Sequence, residues 1–340
     1  MPAPALAAIL VTPDRPSNMT RTLAALRAQT ARDRVQLVLV GPSRDAIAVP
    51  PKELAGFADV LQVIDPIERM GSAQAAGVRA ATAPLVMFTE DHCYPEPGHV
   101  QAMLDLFAEH GCAAVGPTVV NANPASLVSR VQYLIEYGPY GEIGPKGTAR
   151  QIPGHNATYQ RDALLHYANE LDQWLEVETL MHWDMTDRGL VLINDPAPRS
   201  RHWNCSRVAP LLRFAWVFPR VFAAFRARRY GLLERLKLGL LWPLIAPIRF
   251  RRLLPYAVKL HGIPTTLAVS PLLFLTLLVS AASEGAGYLA GEGNHGPRAT
   301  DFEFHRDRFF RRGETYDQLS ATTPASADPS RTHDAVEATG

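Results

Sequence analysis

Short apolar runs alternate with amphipathic segments through the first two hundred residues. Runs typical of buried parallel strands occupy 6–12, 35–41, 59–64, 84–88, 112–120 and 190–195. Between these runs, apolar residues spaced three and four apart predict helices, among them 71–81, 97–110 and 176–188. Strands that alternate with helices predict an α/β fold in which helices cover both faces of a mostly parallel sheet.

The pattern changes after Pro198, where arginines are mixed with aromatic and aliphatic residues. Residues 262–283 then form a stretch of 22 positions without a charge. A helix of that length reaches about 30 Å, the thickness of a hydrocarbon core, although Pro264 and Pro271 leave a re-entrant segment open. The sequence therefore predicts an α/β domain over 1–205, basic amphipathic membrane-interface helices over 206–261, an apolar membrane segment over 262–291 and a disordered polar tail over 292–340.

The net charge of +1 conceals a strongly uneven distribution. Residues 199–252 contain thirteen Lys or Arg and one acid, Glu234, so this stretch carries +12 and the rest of the chain −11. Apolar side chains interleave these charges, which favours an anionic membrane lipid as the partner and argues against nucleic acid. Three cysteines without paired spacing, and an N-terminus without a basic leader, predict that the α/β domain lies on the cytoplasmic side.

A cluster of polar residues, "FTEDHCYP", follows the fourth predicted strand. Glu90, Asp91 and His92 combine carboxylates with an imidazole, a set that can bind Mg²⁺ or Mn²⁺, and His202 after the last strand can complete it. The alternatives are a solvated acidic loop and, with less support from the spacing, a zinc site that adds Cys93 and Cys205.

Two further segments offer polar groups. Glu178 lies in the first turn of a predicted helix, where the helix dipole favours the anion and so an available base; acids are equally common there for structural reasons alone. Gly154, His155 and Asn156 form a turn that either lines a ligand or simply precedes the next helix.

Taken in order, these motifs resemble family 2 glycosyltransferases with the GT-A fold. The resemblance covers about 9–206 and includes "TPDRP", "VQLVLVG", "RMGSAQAAGVRAATAPLVMFTEDH", "GHNATYQRDAL" and the acidic helix that follows. In such a fold the 1–205 segment is the catalytic domain.

The resemblance implies a role for each candidate residue. It implies a divalent metal, Mn²⁺ or Mg²⁺, bound near Glu90, Asp91 and His92, with His92 in the place of the family's second acid. It also implies a catalytic base at Glu178, with Glu176 as the second choice. The remaining implied binding residues for the donor and acceptor are Gly154, His155, Asn156, Pro13, Asp14 and Arg15.

The function implied is transfer of a sugar from a nucleotide-sugar donor to a lipid-linked or polysaccharide acceptor at a membrane. We expect this transfer to be inverting and metal-dependent, and to serve the biosynthesis of cell-envelope polysaccharide. The alternative is a catalytically inactive GT-A-like scaffold or binding protein at the membrane.

Overall fold

One nine-stranded sheet forms the centre of the protein. The computed structural model describes residues 3–14 and 16–309. The strands are β1 (Leu6–Val11), β2 (Val35–Gly41), β3 (Asp59–Ile64), β4 (Leu85–Thr89), β5 (Cys93–Pro95), β6 (Ala114–Asn121), β7 (Gly147–Thr148), β8 (Thr158–Gln160) and β9 (Leu192–His202). Their order across the sheet is β3-β2-β1-β4-β8-β6-β9-β5, and β7 pairs with β9.

The first half of the sheet is parallel, as the apolar runs predict. β2 pairs with β1 and β3 in parallel, and β1 pairs with β4 in parallel. β8 is antiparallel to both β4 and β6, whereas β6 and β9 are parallel to each other. The carboxyl ends of β1 and β4 therefore lie side by side at one edge, where α/β sheets bind ligands.

Helices cover both faces of this sheet. They are α1 (Thr20–Arg27), α2 (Pro51–Leu54), α3 (Met70–Ala80), α4 (His99–His110), α5 (Leu127–Tyr137), α6 (Arg161–Leu165), α7 (Leu171–Glu176), α8 (Glu178–Asp187), α9 (Val208–Ala227), α10 (Leu232–Leu240), α11 (Trp242–Ala290) and α12 (His295–Phe304). Along β1, Ile9 packs into the cluster that includes α3, and Leu10 packs into the opposite cluster with α1 and α4. The alternation confirms the predicted α/β fold, because every side chain of β1 is buried on one face or the other.

The helix predicted over 176–188 is observed as α8, which begins two residues later than predicted. Glu176 ends α7 and Glu178 begins α8, because Val177 between them has a non-helical backbone (φ −138°, ψ 73°). α7 packs closely on α3: a Cβ at Gly71 would meet the backbone of Asp172 and of Glu176. The division lets the side chains of two nearby acids enter different environments.

α11 is a helical hairpin. At Gly262 the backbone has φ 73° and ψ 166°, which divides α11 into a first arm (242–261) and a second arm (263–290). The arms are antiparallel neighbours: the ring centroids of Phe250 and Phe274 are 5.5 Å apart, and Arg249 pairs with Glu284 at 2.7 Å. Gly262 adopts a left-handed conformation that side chains disfavour, which suits the bend.

The hairpin packs on the sheet domain through α5 and α9. Leu134 of α5 and Leu253 of the first arm share one apolar cluster, and Ser283 of the second arm donates a hydrogen bond to Trp216 O of α9. By length and composition α9 and α11 qualify as candidate membrane spans, although 44% and 39% of their most apolar windows are buried inside the protein. Such helices are weak evidence for a membrane.

The segment after 291 differs from the disordered tail that its polar composition predicts. Residues 295–304 form α12, which packs on α9 because Phe302 is buried against Phe214 and Phe218. These three aromatic residues provide the apolar contact that holds α12 against α9. The remainder of the predicted tail, 310–340, lies outside the described residues.

We predict that one buried histidine makes the stability of the fold sensitive to acid. His99 begins α4, with Nδ1 3.0 Å from Arg199 O and Nε2 3.1 Å from Asn156 O. These two carbonyl oxygens favour the charged ring, but burial outweighs them and lowers the pKa of His99 from 6.5 to about 4. The unfolded chain therefore binds a proton between these pH values that the folded chain does not. We expect the free energy of unfolding to fall as the pH drops from about 6.5 to 4, by up to ~1.4 kcal/mol per pH unit from this residue.

The measurement is urea denaturation in detergent across this pH range. His99→Gln removes the titrating group, so its stability should depend less on pH than that of the wild type. His110→Gln, at the exposed end of the same helix, is the matched control and should keep the wild-type slope. Equal slopes for the wild type and His99→Gln would contradict the prediction.

Candidate active site

A buried carboxylate, that of Glu90, is the centre of the site. It follows β4 directly, and its Oε2 lies 2.6 Å from His155 Nδ1 and 3.0 Å from His92 Nε2. Burial alone would raise the pKa of Glu90, but the charges of His155 and His92 hold it well below its usual range. Conversely, burial would lower the pKa of His155, and Glu90 raises it to about 9. Glu90 and His155 therefore form a buried ion pair.

A turn before β8 brings His155 to this position. Asn156 adopts a left-handed backbone (φ 54°), and its N–H donates to Phe88 O at 2.8 Å. Its side-chain amide donates to Cys93 O at 3.1 Å, fully buried and outside the cavity described below. Of the three turn residues predicted to line a ligand, Gly154 and His155 reach the cavity, whereas Asn156 holds the turn in place.

Asp91 acts on the site through its neighbour. Its Oδ1 accepts a hydrogen bond from His92 Nδ1 at 2.9 Å, which fixes the ring and directs Nε2 toward Glu90. A carboxylate behind a histidine is the usual arrangement for orienting a metal-binding imidazole. The predicted role of Asp91 as a direct ligand does not match this geometry, because its carboxylate is directed to the far side of the His92 ring.

His202 comes from the far end of β9. Antiparallel pairing places it opposite Cys93, and its ring centroid lies 5.0 Å from that of His92 and 4.9 Å from that of His155. Its Nδ1 is 3.0 Å from Oδ1 of Asn204, whose own amide N–H donates to Asn121 Oδ1. Since Asn204 Oδ1 is therefore an acceptor, His202 Nδ1 carries the proton and Nε2 is left with the lone pair that a metal needs.

Two overlapping groups of side chains can bind a metal ion. The ligand atoms of His92, His155 and His202 lie within 4.8 Å of one another, and so do those of Glu90, His92 and Glu303. Ligands that are mostly imidazoles fit Mn²⁺ or another first-row transition metal better than Mg²⁺, which prefers oxygen ligands. Within the described ranges, no cysteine belongs to either group, so the zinc alternative with cysteine ligands is not supported.

A cavity of about 400 Å³ opens beside this cluster. Its polar wall includes Glu90, His155, Glu178 and Glu303, and α9 supplies an apolar wall that includes Phe218. The volume lies at the small end of the range of about 300–1,000 Å³ found for ligand sites. One side of the cavity is therefore charged and the other is aromatic.

Glu178 is a carboxylate of this cavity that burial makes easier to protonate. Burial raises the pKa of Glu178 to about 7, with His155 opposing the shift and Glu90 and Glu303 adding to it. The position of Glu178 at a helix start predicts an ionised carboxylate. The raised pKa differs from that prediction, because burial outweighs the helix dipole. A carboxylate with a pKa near 7 is well matched to proton transfer at neutral pH.

Glu176 also borders the cavity, but other groups hold its carboxylate. It accepts hydrogen bonds from Gly71 N at 3.2 Å and from Arg69 Nη1 at 3.1 Å. Arg69 in turn pairs with Glu292, just before α12. These contacts make Glu176 part of an ion-pair network that joins α3, α7 and the C-terminal segment, and they leave Glu178 as the better candidate for a base.

The residues predicted to flank a nucleotide base follow β1. Pro13 is half-buried, and Asp14 is exposed and pairs with His305 at 3.5 Å. Arg15 lies outside the described residues. The structure therefore places Asp14 beside the C-terminal segment. The sequence predicts a disordered tail for that segment and so no contact with Asp14.

Glu303 is the site residue that sequence reasoning missed. Its carboxylate lies 3.5 Å from His92 Nε2, although 211 positions separate the two residues. The segment "FEFHRDRFF" around it alternates aromatic and charged residues, unlike the Ser-, Thr- and Ala-rich sequence that follows. That change in composition is the one signal that indicates packing here.

Comparison with known proteins agrees with the resemblance seen in the motifs. Residues 8–167 match the family model described as "Glycosyl transferase family 2". The matched segment contains Glu90, His92 and His155 and ends before Glu178, His202 and Glu303. Among solved structures, the chain is similar to "Crystal structure of S. aureus TarS 1-349 in complex with UDP", with 12% identity, a TM-score of 0.43, and coverage of 84% of this chain and 90% of that chain. No curated protein sequence matches the chain.

We predict that the absence of a side chain at Gly154 is required by Glu178. A Cβ at Gly154 would overlap the Glu178 carboxylate, which is the end of a flexible side chain and can turn away, so we expect Gly154→Ala to lower the free energy of unfolding by only about 1 kcal/mol. In a Glu178→Ala background the same change should cost less than ~0.5 kcal/mol, because the overlapping atoms are gone. Denaturant titration of the four proteins measures this coupling.

Gly98→Ala is the matched control, since nothing lies within 4 Å of a Cβ built at Gly98. Its stability should stay close to that of the wild type. A Gly154→Ala penalty of the same size with and without Glu178 would show that the two residues are not in contact.

Proposed function

We propose that this chain, a glycosyltransferase that carries a family 2 domain over residues 8–167, moves a sugar from a nucleotide-sugar donor to a lipid-linked or polysaccharide acceptor presented at a membrane. One observation carries the proposal: Glu178, buried and with its pKa near 7, shares a cavity with the Glu90–His155 pair. A base and a cationic, metal-capable cluster therefore face the same space, as the two ends of a sugar-transfer reaction require.

The cluster suits the end of the reaction at which charge develops on the leaving group. His92, His155 and His202, with Glu90, would hold a divalent ion, for which Mn²⁺ fits the nitrogen-rich set best. When bound, that ion supplies positive charge that stabilises the departing nucleoside diphosphate. Asp91 and Asn204 orient His92 and His202 for this purpose.

Glu178 suits the other end of the reaction. An acceptor hydroxyl in the cavity gives its proton to the Glu178 carboxylate, and the oxygen forms a bond to the anomeric carbon. The bond from that carbon to the diphosphate oxygen breaks, and the nucleoside diphosphate leaves with the electron pair. Attack from the face opposite the leaving group inverts the anomeric configuration.

The apolar wall of the cavity supports an acceptor that comes from a membrane. Phe214, Phe218 and Phe222 of α9 line this wall, and α9 packs along the second arm of α11. A lipid-linked acceptor would bury apolar surface against these aromatic side chains.

The exposed surface of α10 and α11 supports contact with a membrane. Apolar side chains there are unusually exposed, among them Leu233 at 81% and Leu267 at 68%. Others with high exposure are Leu232, Leu240, Leu244 and Ile263. α10 and the beginning of α11 belong to the stretch 199–252 with a net charge of +12, which is complementary to anionic lipid at about 1 kcal/mol per basic residue near the surface.

The hairpin geometry favours a position in the membrane interface over a span. Arg251 and Arg252 lie near the middle of the first arm, beside Phe250, which faces Phe274 of the second arm. A spanning hairpin would place these arginines at the bilayer centre, at about 2.5–3.5 kcal/mol each. An interfacial position, with the domain on the cytoplasmic side, avoids that cost.

The proposed reaction predicts metal-dependent release of nucleoside diphosphate from one class of nucleotide sugar. With a panel of UDP- and GDP-sugars and membrane lipid as acceptor, we expect release with Mn²⁺, less with Mg²⁺ and little after chelation. Glu178→Gln should lower the rate by about 10²–10⁴-fold, because general-base catalysis contributes on that scale. Glu170→Gln, an exposed acid of the same region, is the matched control.

The outcomes separate the alternatives. Release that Glu178→Gln does not change would place the base elsewhere, with Glu176→Gln as the next variant. No release from any donor by folded protein would favour the inactive scaffold. Release that is unaffected by chelation would remove the metal from the proposal.

The proposed membrane contact predicts binding to preformed vesicles. After detergent removal, we expect the protein to float with vesicles that contain phosphatidylglycerol, and less with phosphatidylcholine alone or at high salt. The double variant Leu232→Ser, Leu233→Ser should bind less, because it removes exposed apolar area from α10. Leu127→Ser, at an exposed leucine of α5, is the control.

Equal binding to both kinds of vesicle would remove the electrostatic part of this proposal. Protein that stays with lipid only after co-reconstitution, and never binds preformed vesicles, would indicate a span.

A further inference from the structure

The C-terminal segment 292–309 lies across the edge of the sheet where a donor is expected. Glu303 contacts His92 at 3.5 Å, and His305 contacts Asp14 at 3.5 Å. At the start of the segment, Glu292 pairs with Arg69. Three separate contacts thus connect this segment to residues at or near the carboxyl ends of the central strands. The segment itself lies outside the family 2 match.

This segment fills the space at the strand ends. Val11, Thr89 and His92 border a cleft that Glu303 and Phe304 close from above, and about 10 Å³ of room is left in it. That is the space of about one water molecule at most. A nucleoside diphosphate needs a site at least ten times larger, so it cannot occupy these strand ends while the segment is in place.

Side-chain contacts, and no strand pairing, attach the segment to the rest of the described protein. Phe302 packs on Phe218 of α9, with ring centroids 5.7 Å apart, and stacks on Phe309 at 4.4 Å. No residue of the segment within the described ranges belongs to the sheet. Gly291 (φ 74°) and Gly293 (φ 63°) join it to α11 in left-handed conformations that glycine adopts easily. Movement of the segment about this glycine link would break no strand pairing, although it would withdraw Phe304 from the core cluster beside β1.

We propose that 292–309 is a cover over the donor site that leaves before a nucleoside diphosphate binds, and that Glu303 stands against His92 where a phosphate of the donor would stand. The proposal rests on the proposed glycosyl transfer. Both groups are anionic and both suit the same cationic cluster, so they exclude each other. The apparent affinity for the nucleotide is then reduced by the fraction of molecules in which the cover is closed.

The test measures binding of UDP and GDP, each with MnCl₂, by calorimetry on the full-length protein in detergent. Phe302→Ala weakens the anchor on α9 without touching the cluster, and Glu303→Gln removes the competing charge with little change in shape. We expect each variant to bind the preferred nucleotide about tenfold more tightly than the wild type. Phe250→Ala, which removes an aromatic contact in the α11 hairpin, is the control and should bind as the wild type does.

Hydrogen exchange supplies a second measurement. On addition of the nucleotide with Mn²⁺, amides of 295–304 in the wild type should exchange faster, because the cover is displaced. Phe302→Ala should show faster exchange there before any nucleotide is added.

Weaker binding by Glu303→Gln would overturn the proposal, since it would make Glu303 part of the donor site. Exchange at 295–304 that is unchanged or slowed by the nucleotide would also overturn it, and glycosyl transfer would still stand if UDP or GDP bound. No binding by any protein, Phe302→Ala included, would overturn both this inference and the proposed function.

Discussion

The buried ion pair between Glu90 and His155 is the interaction on which the site depends. It joins the end of β4 to the turn before β8, and His92 adds the start of β5 to the same carboxylate. A carboxylate this deeply buried is stable as an anion only beside a cation, and removal of one partner from such a pair costs about 3–5 kcal/mol. The negative charge of Glu90 thus helps to fix the positions of β5 and of the turn. It also helps to fix His202, which pairs with Cys93 of β5.

The same burial gives two neighbouring carboxylates different chemistry. Glu90 lies between two imidazoles, and their charges hold its pKa well below the usual range. Glu178 faces His155 from one side but also feels Glu90 and Glu303, so burial dominates and its pKa rises to about 7. One carboxylate remains an anion that can support a cation, and the other can accept and release a proton. Separation of this kind is how a site assigns distinct roles to chemically identical groups.

The sequence predicted the parallel half of the sheet well, because β1 and β2 are continuous buried runs that no surface pattern interrupts. It could not predict β5, β7 or β8, which have two or three residues each and so no detectable period. The predicted start of the helix over 176–188 is two residues early for a related reason: the apolar spacing continues across Val177, and the packing of α7 on α3 decides the backbone there.

In the candidate site, the residues close to a strand end were predictable and the distant partners were not. Glu90 and His92 follow β4 directly, so their place at the ligand edge follows from the fold class. The contact of His155 with Glu90 depends on the left-handed Asn156, and neither spacing nor composition indicates that conformation. Glu303 depends on α12, whose position is determined by aromatic contacts with α9.

α9 connects the two parts of the molecule that the sequence treats as separate. Its Phe218 lines the cavity and also contacts Phe302 of α12, while its Ala223 packs against Gly287 of the second arm of α11. A force on the hairpin can therefore reach the cover through α9 as well as through the chain at Gly291. Membrane binding would shift the cover only if the membrane favoured one position of α9 over another. A surface that binds the open and closed states equally does not change their populations. The close fit of Gly287 on Ala223 leaves little room for α9 to move relative to the hairpin. The two would then move together, so the cover would pack against α9 and α11 as one rigid surface and would leave that surface when it opens.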